Sequence, residues 1–99
     1  MATNQDFRLD RYVLGPLMID LVGHDRRPAA YVLYLALLRF GAAEAEVGMS
    51  LQGLATETGL SKSAVQRSVA HLARRKLIAV RSTGPNQPPR YRALEPWRR

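Results

Sequence analysis

Ten consecutive apolar residues, Ala29 to Leu38, constrain this chain more than any other feature. The run is half the roughly 20 residues that a membrane-spanning helix needs. It is longer than an ordinary strand of about 5–6 residues. Pro28 precedes it and Gly41 follows Phe40, the order expected at the first turn and the C-terminal end of a helix. That helix, Pro28 to about Phe40, carries Tyr31, Tyr34, Leu35 and Leu38 on one face. The other face carries Ala30, Leu33, Leu37 and Phe40. A helix apolar on all sides must be covered on all sides. One face can pack on the core. The other needs the N-terminal segment or a second copy of the chain.

The remaining segments divide around it. Residues 1–10 are expected to form a loose arm. Gly15-Pro16 marks a helix start, Leu17, Met18, Leu21 and Val22 recur at helical spacing, and Gly23 is expected to stop it. After a flexible connector, Gly41 to Gly48, Val47 to Met49 is a candidate short strand. Ser50 is placed to cap a helix over Leu51 to Thr58, with Leu51, Leu54 and Ala55 inward. Gly59 ends that helix, and Ser61 caps a second from Lys62 to about Lys76. Val65, Val69, Leu72 and Ala73 are its expected inward stripe. Ile78 to Ser82 alternates like a strand. Thr83 to Pro89 has turn chemistry throughout, and Arg90 to Leu94 reads as the returning strand.

The expected organisation is an N-terminal arm and short helix over 1–27, one folded domain over 28–94, and a basic tail over 95–99. A hydrophobic share of 46% supports one core. The absence of cysteine excludes a disulfide framework, thiolate metal ligation and thiol catalysis, and fits a reducing compartment. His24 and His71 stand far apart in the chain, so no zinc site is expected. No Ser–His–Asp arrangement, glycine-rich phosphate loop or catalytic carboxylate pair can be traced. Neither an enzyme nor a cofactor is expected.

Charge is distributed unevenly. The chain holds 15 Lys and Arg against 8 Asp and Glu, a net +7. Residues 1–60 contain five arginines against seven acids, or −2. Residues 61–99 contain ten cations against Glu95 alone, or +9. All but Lys62 and Lys76 of the cations are arginines. A stretch so basic repels itself unless a polyanion is its usual neighbour.

Thr58-Gly59-Leu60-Ser61 joins two short helices, which makes a helix-turn-helix. Ala55 is small where the helices cross, Gly59 forms the corner, and Leu60 plugs the angle between them. The β-hairpin that follows is a wing. The expected fold class is mainly α with a small antiparallel β-hairpin wing, a winged helix-turn-helix. The run Ser50 to Val69 (SLQGLATETGLSKSAVQRSV), continued by Ala70 to Ile78 (AHLARRKLI), resembles bacterial winged helix-turn-helix regulators of the MarR and GntR superfamilies. The resemblance covers roughly residues 28–94. It implies a bacterial DNA-binding transcription regulator. No counterpart is expected here for the long terminal dimerising helices usual in MarR-type proteins or for the large effector domain of GntR-type proteins. The position before Leu77-Ile78, often Gly in such proteins, is Lys76.

On DNA, the helix 62–76 is expected in the major groove, with Lys62, Ser63, Gln66, Arg67 and Ala70 outward. Arg67 matches guanine O6 and N7, Gln66 matches adenine, and Ser63 suits either. Ser61 and Lys62 stand at the helix start, where phosphate is favoured. Arg74 is also expected on the DNA; it belongs to the basic cluster at the other end, with Arg75 and Lys76, where charge on at least one of the three offsets the helix dipole. From the wing, 78–94, Arg90 and Arg92 share strand parity and are expected on an adjacent minor groove or its phosphates, with Gln87 nearby. Tyr91 then faces the core. Arg98 and Arg99 are either phosphate contacts or a frayed end.

The expected partner is double-stranded DNA, met by a homodimer formed through residues 12–40, in the cytoplasm and on the nucleoid. Mutual cover of residues 12–22 and 28–40 in a monomer is the competing arrangement. A plasmid or phage replication or partition protein, or a winged helix that binds protein or RNA, are the alternatives in function.

Overall fold

Within residues 8–41 and 46–98, which this computed structural model describes, the chain begins with a broken helix. Residues 1–7 of the expected arm over 1–10, residues 42–45 of the connector, and Arg99 lie outside the described residues. Helix α1 (Arg11–Leu14) is capped by Asp10, whose carboxylate accepts the Tyr12 N–H at 2.9 Å. Gly15 interrupts it and Pro16 restarts it as α2 (Pro16–Met18). The chain then widens into a π-helix, Ile19–His24. Gly23 therefore does not stop the helix, contrary to the expectation from sequence. A glycine costs a helix only about 1 kcal/mol, whereas a reversal needs a residue in the left-handed region. Arg26 takes that conformation, with φ 56°. The Arg27 N–H then donates to the Leu21 carbonyl at 2.8 Å and closes the wide turn.

Helix α3 (Pro28–Phe40) is the apolar run. Ala30, Tyr31, Leu33, Tyr34 and Leu37 are all buried, on both sides of the helix. The cover comes from within the chain. Val13, Leu17 and Leu21, spaced four apart, are buried. The Tyr31 hydroxyl donates to the Val13 carbonyl at 2.7 Å. The N-terminal segment thus supplies what the two-faced helix required.

Strand β1 (Val47–Gly48), helices α4 (Leu51–Thr58) and α5 (Lys62–Arg74), and strands β2 (Ile78–Arg81) and β3 (Arg90–Ala93) complete the fold. The antiparallel sheet has the order β1-β3-β2. Val47 and Val80 flank Tyr91, and Gly48 and Arg81 flank Arg90. Tyr91 faces the core, as its strand parity predicted.

Helix α5 turns differently from its expected stripe. Val65, Ser68 and Leu72 are the buried positions, Val69 is half-buried, and Ala73 is exposed. The 3- and 4-residue steps from 65 to 68 to 72 keep to one line. Ala73 lies about 100° past Leu72, since each residue turns the helix by 360° over 3.6 residues. The helix ends at Arg74, two residues before the expected limit. Lys76 adopts φ 60°, the left-handed conformation that a glycine supplies cheaply.

The C-terminal residues fold back. The Leu94 N–H donates to the Leu77 carbonyl at 2.8 Å. The Tyr34 hydroxyl donates to the Leu94 carbonyl at 2.6 Å, and burial, with Glu95 and Asp10 nearby, raises its pKa well above the usual phenol value. Trp97 stacks on Tyr12 at 4.5 Å, and its indole N–H donates to Asp10 at 3.0 Å. Among the described residues, no helix is long and apolar enough to cross a membrane.

Candidate nucleic-acid interface

The helix-turn-helix is built by local chemistry. The Ser50 hydroxyl accepts the Gly53 N–H at 3.0 Å and starts α4. Gly59 ends it with φ 80°, its N–H donating to the Ala55 carbonyl at 2.9 Å. Thr58 stabilises the corner in a way the sequence reading did not anticipate. Its hydroxyl donates to the Leu54 carbonyl at 2.7 Å and accepts the Leu60 N–H at 3.1 Å. Ser61 caps α5 by accepting the Ala64 N–H at 3.0 Å, and its hydroxyl lies 3.3 Å from that of Ser63. Leu60 is half-buried against the core at the corner.

With Val65, Ser68 and Leu72 inward, α5 leaves Lys62, Ser63, Gln66, Arg67, Ala70 and Arg74 exposed. Ser61 is exposed at its start. These residues share one accessible surface. Arg74 also reaches back, its guanidinium 3.3 Å from Nδ1 of His71.

The wing is different. Arg81 and Arg90 stand directly opposite each other on β2 and β3. Like charges so placed repel. Glu46 lies between them, accepting from Arg81 at 2.6 and 3.0 Å and from Arg90 at 3.1 Å. Hydrogen bonds from Arg81 outweigh the desolvation of the carboxylate, Arg90 adds to them, and Glu46 is held down at about 2. Gly48 gives Arg90 its space, because a Cβ there would meet its guanidinium at 3.1 Å. Arg92, on the same face, is exposed and has no carboxylate partner among the described residues. Gln87 is exposed in the turn.

The far end of α5 carries a second tie. Asp25 is 8% exposed at its side chain, and His71 Nε2 lies 2.7 Å from its Oδ2. His24 Nδ1 lies 3.0 Å from Oδ1 of the same carboxylate. The two histidines, distant in the chain, therefore converge on one acid. Arg75 bridges Asp25 and Asp20. Burial opposes ionisation of Asp25, but His24, His71 and Arg75 prevail and hold it at about 2. Asp20, His24 and Asp25 bring ligand-type atoms within 4.8 Å of one another, with the Arg75 guanidinium already bonded to both carboxylates. Arg98 is likewise tied, to Asp10 at 3.0 Å.

Arg26 and Arg27, which the sequence reading treated only as part of a turn, lie beside α5. With Arg67 and Ser68 they border a pocket of about 160 Å³ at the N-terminus of α3. The signal that could have flagged them is a basic pair directly before a proline-initiated helix.

The MarR family model matches residues 29–86, more than half of the chain. No curated protein and no solved structure matches it.

Proposed function

The chain belongs to the MarR family, and on that premise we propose that it is a sequence-specific regulator that reads double-stranded DNA with α5. MarR-family regulators are non-enzymatic DNA-binding proteins that act in transcription. The observation that carries the finer reading is the outward face of α5. Ser63, Gln66 and Arg67 are exposed along it, capped at its start by Ser61 and flanked by Lys62. Arg67 is assigned to guanine, Gln66 to adenine, and Ser63 to either. Ser61, Lys62 and Arg74 border the same groove, and Arg92 approaches it from the wing. Arg90 reaches DNA only by exchanging Glu46 for a phosphate.

The active form is a homodimer, in the cytoplasm on the nucleoid. Tyr12, Leu14, Met18, Ile19, Val22 and Val32 remain exposed outside the covered face of α3. Ile19 at 69% and Leu14 at 53% are the most open of them. We assign these exposed apolar side chains to the dimer surface. Two-fold pairing through it would place half-sites about one helical turn apart.

Selection of bound sites from a random duplex library tests the reading. A two-fold symmetric consensus is expected, with half-sites about 10 base pairs apart. Failure to enrich any sequence, together with no salt-dependent binding to random duplex, would overturn it. Gel filtration with light scattering checks the dimer, and a monomer at high concentration removes it.

A further inference from the structure

The pocket between α3 and α5 combines four features that point to one ligand chemistry. Arg26, Arg27 and Arg67 border it from two separate segments. None of the three has a carboxylate partner among the described residues, whereas Arg39, Arg75, Arg81, Arg90 and Arg98 each have one. The N-terminus of α3, a helix of 13 residues, opens into the pocket without a side-chain cap. Pro28 has no N–H, and the Ala30 N–H is taken by the Arg27 carbonyl at 3.0 Å. The Ala29 N–H is left at the pocket wall, with the positive end of the helix dipole behind it. Ser68 is 4% exposed and also borders the pocket. Its hydroxyl bonds to none of the described residues. No sealed-off polar side-chain atom among them lacks a partner, so that hydroxyl opens onto the pocket.

A guanidinium set, a backbone N–H and a hydroxyl converging on one small space suit a tetrahedral oxyanion. We propose that this pocket is a phosphate-binding subsite, and that on DNA it holds one backbone phosphate beside the groove entered by α5. The assignment to DNA rests on the reading given under Proposed function. Its consequence is a division of labour. Arg26, Arg27, Ala29 and Ser68 hold α5 in register from the side, which leaves the outer edge of Arg67 for a base. The phosphate would bridge the N-terminus of α3 to the middle of α5, and so fix the depth at which α5 lies.

The test measures binding of a random 30-base-pair duplex by fluorescence anisotropy as KCl is raised, for the unaltered chain and for the double variant Arg26→Ala/Arg27→Ala. Both arginines are exposed, so the variant should fold, and Arg26→Gln/Arg27→Gln repeats the measurement with similar bulk. The slope of log K against log salt should fall by about one per bound protomer, the release expected from one phosphate. Inorganic phosphate is titrated in parallel while backbone amide resonances are followed by NMR. Saturable shifts at Ala29 and Ser68, absent from the double variant, are expected. If the unaltered chain binds no duplex at low salt, the DNA reading itself fails. If it binds, and the double variant binds with the same slope and affinity, the subsite is wrong while the DNA reading stands. If phosphate saturates the pocket but the duplex slope does not change, the site serves a free anion and its assignment to DNA is overturned.

Discussion

The two ends of the basic surface treat their arginines in opposite ways. Around the first half of α5, Arg26, Arg27 and Arg67 stand without carboxylate partners among the described residues. At its far end and on the wing, carboxylates hold Arg75, Arg81 and Arg90, while Arg74 and Arg92 have no such partner among the described residues. Arg75 lies on Asp20 and Asp25, and Arg81 and Arg90 lie on Glu46. Formal charge does not distinguish these regions, yet a polyanion would. An unpaired guanidinium can meet a phosphate at once, whereas a paired one must first give up its carboxylate. The paired arginines join segments of the fold, and the unpaired ones are available to a ligand.

The largest expected effect is on the paired side. Asp25→Asn leaves Arg75 and His71 facing a neutral amide in a nearly buried position. Urea unfolding should show a loss of about 2–3 kcal/mol at neutral pH. The acid limb sharpens the point. Asp25 has its pKa lowered from 3.8 to about 2 in the folded chain. Its contribution is therefore fully present above the unfolded value and is lost as pH falls through that window. The variant should lack this part of the acid transition. An unchanged unfolding curve at both pH values would make the tie decorative.

On the unpaired side, Arg67→Ala should weaken binding to a selected site by about 10- to 100-fold, the range of one bidentate base contact, with random-duplex binding largely kept. Equal loss on both duplexes would move Arg67 from base to phosphate. Glu46→Gln should move the wing toward the unpaired side. It frees Arg81 and Arg90, so affinity for random duplex at low salt should rise several-fold, with a slope steeper by up to about two. Its effect on stability should be small, because solvent screens the pair. An unchanged slope would place the wing away from DNA. Arg92→Ala should have the smallest effect, roughly a two- to fivefold loss on all sequences, measured in the same titration.

The helix-turn-helix was legible because its signals are local. Ser50, Gly59 and Ser61 act within four residues of themselves, and each performs the capping or turning role its type and position suggested. The exposed face of α5 followed from the 3.6-residue period. The stripe beneath it was only partly legible, since Ser68 is buried by the surrounding fold against the bias of its side chain. The turn at Arg26 was missed for a related reason. Gly23 was the residue suited to a reversal, and the π-helix carried the chain past it.

The sequence by itself determined a winged helix-turn-helix, the exposed face of its second helix, and a two-faced apolar helix in need of cover. Periodicity, caps and turn residues act over a few positions, so they can be followed along the chain. Tertiary structure decided what covers that helix and which cations are free. The pairs that decide the second question join Arg81 to Glu46 across 35 positions, Arg75 to Asp25 across 50, and Arg98 to Asp10 across 88. The division into −2 and +9 therefore described the chain and not its surface. Four acids of the first sixty residues neutralise four cations of the remainder, while Arg26 and Arg27 join Arg67 from the half with the negative sum. Coulomb attraction depends on distance in space, and only the fold sets that distance.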